Sequence, residues 1–114
     1  MQVTITLIII IITVAVSLYT MQKPRVLNSL MMNPYQISHS GQYYRLISSG
    51  FVHRDHMHLI FNMFSFYFFG TQLEYIFQQI FGGLGGVHFI VLYLLGIIVS
   101  DLPTVFKHRK NIYY

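Results

Sequence analysis

His53, His58 and Asn62 fall in one short run, FVHRDHMHLIFNMF over residues 51–64, and read H-x4-H-x3-N. The stretch immediately after Asn62 is almost wholly apolar. Polar side chains in such a run are costly to bury without a partner, and inside a membrane they are a functional hypothesis by default. His58 and Asn62 are four apart, so on a helix they share one face. His53 is about 140° out of register with His58 on any continuous helix, so it belongs just outside the helix start. On the residues alone, two readings of His58 and Asn62 stand: a chemical site, or a hydrogen-bonded pair joining helices. A third reading takes His53, Asp55, His56 and His58 as a metal site, since imidazole and carboxylate suit zinc and other divalent ions. Their spacing matches no standard zinc motif. Ser48 or Ser49 with His53 as nucleophile and base has no helix or turn signature behind it.

The elements that must position these residues are apolar. The 114-residue chain is 54% hydrophobic and only 9% charged, with a mean hydropathy of +0.56. Soluble domains carry about 25% charged residues, so lipid is the expected solvent. The net charge of +4 flanks apolar segments, as membrane-bordering charge does, and does not form a nucleic-acid patch. There is no cysteine, which excludes disulfides and thiolate metal sites.

Three stretches are expected to span, near residues 3–21, 56–81 and 86–102, in one domain covering 1–114. The first, VTITLIIIIITVAVSLY, carries no charge and is ended by Lys23-Pro24-Arg25. No Lys or Arg precedes it, which counts against a cleaved signal peptide. Val26 to Val52 is too polar to span and is expected as a long loop at the membrane interface. Asn33-Pro34 marks a turn within it, and Tyr43, Tyr44 and Arg45 suit the headgroup level. Asp55 is a favoured N-cap for the second helix. Gly82-Gly83-Leu84-Gly85-Gly86 breaks it; no Lys-Ser/Thr comes after, so this is a turn and not a phosphate loop. In the third stretch, Gly96 and Ser100 form a small pair of the kind that lets helices approach closely. Pro103 is expected to stop the helix.

These residues together resemble the front half of a rhomboid intramembrane serine protease. The resemblance rests on the N-terminal helix, the long first loop with the aromatic-Arg pair Tyr44-Arg45, H-x4-H-x3-N opening the second helix, and G-x3-E at Gly70 and Glu74. It implies an all-α membrane fold of three transmembrane helices with a long interfacial first loop. It also implies proteolysis of transmembrane substrates within the bilayer, no cofactor, and a multi-pass location, here expected in a bacterial cytoplasmic membrane. His58 and Asn62 are then oxyanion donors, and His53, Arg45, Tyr44, Gly70 and Glu74 are structural. Glu74 is about 18 Å along the helix from Asn62, too far to act at an oxyanion. Tyr44 stands where the family usually has Trp. The family's chemistry is a Ser-His dyad whose serine sits in G-x-S-G, and these 114 residues contain no G-x-S-G. The chain therefore resembles a truncated rhomboid supplying the oxyanion side without the nucleophile. The rival within this resemblance is a non-catalytic scaffold that binds transmembrane partners.

Topology is where two arguments collide. With three spans, the first loop and the C-terminal tail share a side, and all seven Lys and Arg residues lie there. The positive-inside rule makes that side cytoplasmic; the resemblance puts the first loop outside. Arg45 and Arg54 belong to a structured loop where they can serve packing, and further segments can reset orientation. A cysteine at Ser40 is therefore predicted to react with an impermeant thiol reagent in intact cells, and one at Gly83 only after lysis. The reverse pattern would uphold the charge rule.

Overall fold

The computed structural model describes residues 4–53 and 55–112; Arg54 lies outside the described residues. Six α-helices succeed one another: α1 (Ile5–Met21), α2 (Pro24–Leu30), α3 (Pro34–Ser40), α4 (Arg45–Ser48), α5 (His56–Phe81) and α6 (Gly85–His108). Two 3-10 turns, Ser49–Phe51 and Gly82–Leu84, complete the described chain, in which there is no strand.

Helix α1 packs with an unexpected face. The buried residues of α1 are Thr6, Ile9, Thr13, Ser17 and Thr20, spaced by three and four as one helical stripe. Ile9 apart, the isoleucine run turns largely outward, with Ile11 58% and Ile12 48% exposed. Small hydroxyl residues let backbones approach closely, and large apolar ones are left for the surroundings. Large apolar side chains are also exposed along α5 and α6, Phe64, Phe69 and Val99 among them. The run His56–His108 is long and apolar enough to cross a membrane, with a best window of mean hydropathy 2.1 that is only 11% buried. Ile5–Met21 is a shorter apolar helix.

α5 starts where Asp55 Oδ1 accepts from the His58 backbone N–H at 2.7 Å. It ends where Gly82 takes φ +61°, a conformation that glycine adopts without steric cost. α6 then folds back along α5. Phe89, 2% exposed, sits between Phe66 and Phe77 at ring-centroid distances of 6.4 and 6.5 Å.

The segment expected as a loop is itself helical. Pro24 and Pro34 occupy the first turns of α2 and α3, where the missing N–H costs nothing, and Asn33 Oδ1 caps α3 by accepting from Gln36 N at 3.2 Å. Asn33-Pro34 is thus a helix start as well as a change of direction. The carbonyls at the end of α2 are collected by α4 and its N-cap Tyr44: Arg45 donates to the Asn28 and Met31 carbonyl oxygens, Tyr44 to Ser29 O and Ser48 to Leu30 O, each at 2.8 Å. A cation at a helix C-terminus also opposes the helix dipole. The segment from α2 to Phe51 is therefore a braced unit, not a free loop.

Two expectations need correction. Pro103 does not stop α6, which runs through it to His108. The lost backbone bond is outweighed by packing beyond it: Val105 is buried, and Leu102, Val105 and Phe106 border Ile37 and Leu46 of the braced segment. Gly96 and Ser100 are exposed, nothing among the described residues lies within 4 Å of a Cβ added at Gly96, and Ser100 Oγ donates to Ile97 O. Close approaches to α1 occur instead at Gly70, where an added Cβ would stand 3.0 Å from Thr6 Cγ2, and at Gly86, where it would meet the Ile5 side chain.

One turn beyond Gly70, Glu74 is 3% exposed and takes the N-terminus of α1. Its carboxylate accepts from Ile5 N and Thr6 N, both at 2.9 Å, and from Thr6 Oγ1 at 2.8 Å. The G-x3-E spacing is thus one contact: the glycine admits α1, and the carboxylate fills orphan N–H groups at its positive end. Replacing Glu74 by Ala leaves these donors without partners in an apolar setting. It is predicted to destabilise the fold by about 3 kcal/mol, at the cost of roughly 1–3 kcal/mol per unsatisfied group with partial relaxation. Unfolding in mixed micelles measures this; a loss below about 1 kcal/mol would mean that the contact is dispensable.

Candidate polar site at the start of α5

Val52 is extended, at φ −120° and ψ 147°, and so is Asp55, at φ −138° and ψ 159°. This stretch lays His53 back over the first turns of the helix beyond it. His53 Nε2 lies 3.0 Å from Asn62 Nδ2, nine residues on. Its ring meets the His58 ring edge to face, with centroids 5.3 Å apart. The constraint of continuous helix geometry is bypassed because His53 precedes the helix.

On its other side, His53 Nδ1 lies 3.0 Å from Ser17 Oγ of α1, which is also 2.9 Å from the Phe51 carbonyl oxygen. Ser17 is the neighbour of this cluster that reading the sequence missed. Its signal was the spacing of Thr6, Thr13, Ser17 and Thr20, hidden within a run of high mean hydropathy. His53 is buried, whereas His58 and Asn62 are exposed.

A cavity of about 510 Å³ opens beside the pair of histidines. It is bordered by His53, Asp55 and His58, by Ser49 of the braced segment, and by Asp101 and Thr104 of α6. Ser49 Oγ donates to Asp101 Oδ2 at 3.0 Å, and Ser48 Oγ to Leu30 O, so neither serine hydroxyl is directed at His53. His56 points elsewhere, to a separate apolar cavity with Val14, Leu18 and Leu59. Among the described residues, no three His, Asp or Glu side chains are grouped so as to hold a metal ion.

The remaining residues of the pattern lie apart from this cluster. Tyr44 and Arg45 brace the segment that precedes it, with the Arg45 guanidinium 5.7 Å from the centre of the Tyr44 ring. Gly70 and Glu74 act at the far end of α1. The site can therefore present two hydrogen-bonding side chains, His58 and Asn62, from a support whose buried member is His53.

Burial holds the His53 imidazole below the ordinary histidine value, and the neighbouring His58 adds to this, while Asp55 opposes it. The folded state thus favours the neutral ring. Its contribution to stability is complete above about pH 6.5, the ordinary histidine value, and is lost as pH falls from there through the lower folded value. Unfolding midpoints are predicted to decline over that window. In His53→Ala the part of the decline due to this ring disappears, at a constant cost of roughly 1–3 kcal/mol for the two hydrogen bonds of the ring. An unchanged pH profile in the variant would refute the assignment.

A sequence model described as the Rhomboid domain matches residues 40–112, nearly two-thirds of the chain. Searches of curated proteins and of solved structures returned no match. The matched span runs from the end of α3 through α6 and contains every residue of the polar cluster except Ser17. With the aromatic-Arg pair, the histidine-asparagine run and the G-x3-E contact all inside that span, the chain belongs to the rhomboid family, whose members act within membranes.

Proposed function

We propose that these residues supply the oxyanion side of an intramembrane serine protease site that cleaves transmembrane substrates, with His58 and Asn62 as the donors. One observation carries this reading: His58 and Asn62 stand exposed on the first turns of α5, where His58 borders the cavity shared with His53, Asp55, Ser49 and Asp101, amid mostly apolar outward residues from Met57 to Phe69. Attack on a peptide carbonyl puts negative charge on its oxygen, and pre-aimed donors in a dry site stabilise that charge strongly. An amide and a neutral imidazole donate without adding a buried cation.

The bilayer is part of the proposal. α5, with 26 residues, is about 39 Å long and α6, with 24, about 36 Å; either exceeds a hydrocarbon core of about 30 Å. α1, with 17 residues, sits at the lower limit for a span. Three spans, multi-pass and in a cytoplasmic membrane of a bacterium, fit these lengths and the outward-facing apolar residues. The braced segment from α2 to Phe51 then lies at the interface. The nucleophilic serine comes from outside these 114 residues, since no G-x-S-G occurs within them.

A non-catalytic scaffold is the second reading. It is favoured by the fact that Asn62 already has a partner in His53 and so has a structural use without any chemistry. Kinetics separate the two. In the protein that carries these residues together with a nucleophilic serine, His58→Ala and Asn62→Ala are each predicted to lower turnover by about 100- to 1000-fold. Both are exposed, so unfolding midpoints change much less. Residues 1–114 alone give no cleavage. Wild-type rates in both variants would exclude the oxyanion role, and cleavage by 1–114 would exclude an outside serine.

A further inference from the structure

The hydrogen bonds around His53 fix its tautomer. Ser17 Oγ is 2.9 Å from Phe51 O and 3.0 Å from His53 Nδ1. A hydroxyl carries one proton, and a carbonyl oxygen only accepts. The proton therefore goes to Phe51, and Ser17 accepts from His53 Nδ1–H. The neutral ring is left with a bare Nε2, which accepts. The atom 3.0 Å from it is the donor Asn62 Nδ2. Each group in the chain Asn62–His53–Ser17–Phe51 has its one consistent role.

Protonating the ring changes one link only. Nδ1–H continues to donate to Ser17, so the buried end is untouched. Nε2 becomes a donor facing a donor. The carboxamide oxygen and nitrogen are nearly isosteric, and turning the amide over restores a donor-acceptor pair. Asn62 is exposed, so nothing encloses the turning group.

We infer that His53 is a positioning residue that selects which end of the Asn62 carboxamide faces the open side of the site. With a neutral ring, the amide nitrogen is held by His53 and its oxygen faces outward. With a protonated ring, the oxygen is held and both N–H donors face outward. The consequence for catalysis rests on the oxyanion reading of Asn62; the switch itself does not. In the protonated state the ring charge and the turned amide act in the same sense, since both favour a negative charge on the open side.

Other groups titrate near His53. Asp55 and His58 face it from the cap and first turn of α5, and Asp101 of α6 borders the same cavity. α1 presents the uncharged Ser17. The ring takes its proton below the ordinary histidine value, so the switch operates on the acid side of neutrality. A bulk pH profile would mix these groups, and the readout must come from the nitrogens themselves.

The test is ¹⁵N NMR of residues 1–114, labelled in Asn and His and held in lipid nanodiscs, from about pH 8 to about pH 5, which brackets the histidine range. At high pH a coupling across the hydrogen bond joins Asn62 Nδ2 to His53 Nε2, and the ring proton is on Nδ1. On acidification that coupling is lost, and the Asn62 side-chain resonances shift with the His53 midpoint. In Ser17→Ala, which removes the Nδ1 acceptor, the coupling is already weakened at high pH. A neutral wild-type ring protonated on Nε2, or Asn62 resonances that stay still through the His53 titration, would overturn the inference. The wild-type titration decides even if the variant fails to fold. A static amide would leave the oxyanion reading standing, and wild-type turnover in Asn62→Ala would remove that reading while leaving the switch.

Discussion

α1 is held against α5 by polar contacts at two points, and the rest of the arrangement depends on them. At one end Glu74 receives the N-terminus of α1 through Ile5 and Thr6. At the other, Ser17 reaches His53, which in turn reaches Asn62. Thr6 and Ser17 are eleven residues apart, about 16 Å along a helix; Asn62 and Glu74 are twelve apart, about 18 Å. Two antiparallel helices can therefore meet both contacts without bending. A slip of one helical turn at either end would strand a carboxylate or an imidazole in an apolar interior, where each unpaired group is costly. The contacts thus set register as much as they add stability.

The rest of the bundle obeys the same constraint. Many of its large apolar side chains, Ile11, Phe64 and Phe69 among them, are exposed, and the buried face of α1 is lined mainly with threonine and serine. A water-soluble fold would invert this, because burying hydrophobic area drives its assembly. In lipid that drive between helices vanishes, and close backbone approach and hydrogen bonding take its place. Gly70 against Thr6 and the hydroxyl stripe of α1 are what such an assembly requires.

Much of this was legible in the sequence, and the failures have physical reasons. The limits of α5 are written locally, in the capping carboxylate of Asp55 and the positive φ of Gly82. The all-helical class comes from the long apolar runs. Asn33-Pro34 was ambiguous because the same dipeptide serves a turn and a helix start. Pro103 misled because a local rule about one lost hydrogen bond cannot register that Leu102, Val105 and Phe106 have a partner surface in the segment before α5. Ser17 was overlooked because averaging hydropathy over α1 conceals a helical stripe of hydroxyls. The return of His53 onto Asn62 was out of reach, since it depends on extended backbone at Val52 and Asp55 and on where α1 places Ser17.

His53 differs in kind from its two neighbours. It is buried and bonded on both ring nitrogens, so it joins α1, the chain entering α5 and α5 itself. His58 and Asn62 are exposed and have few structural obligations. The buried imidazole is therefore committed to holding the entry segment, whereas the other imidazole and the amide face outward. The division is incomplete at one bond, from His53 Nε2 to Asn62 Nδ2. Through it the protonation of a buried supporting residue reaches an exposed donor, without any change in backbone. Because the Ser17 and Phe51 links hold in either state, the entry segment keeps its place while the amide changes face, and orientation of the donor is separable from stability of the fold.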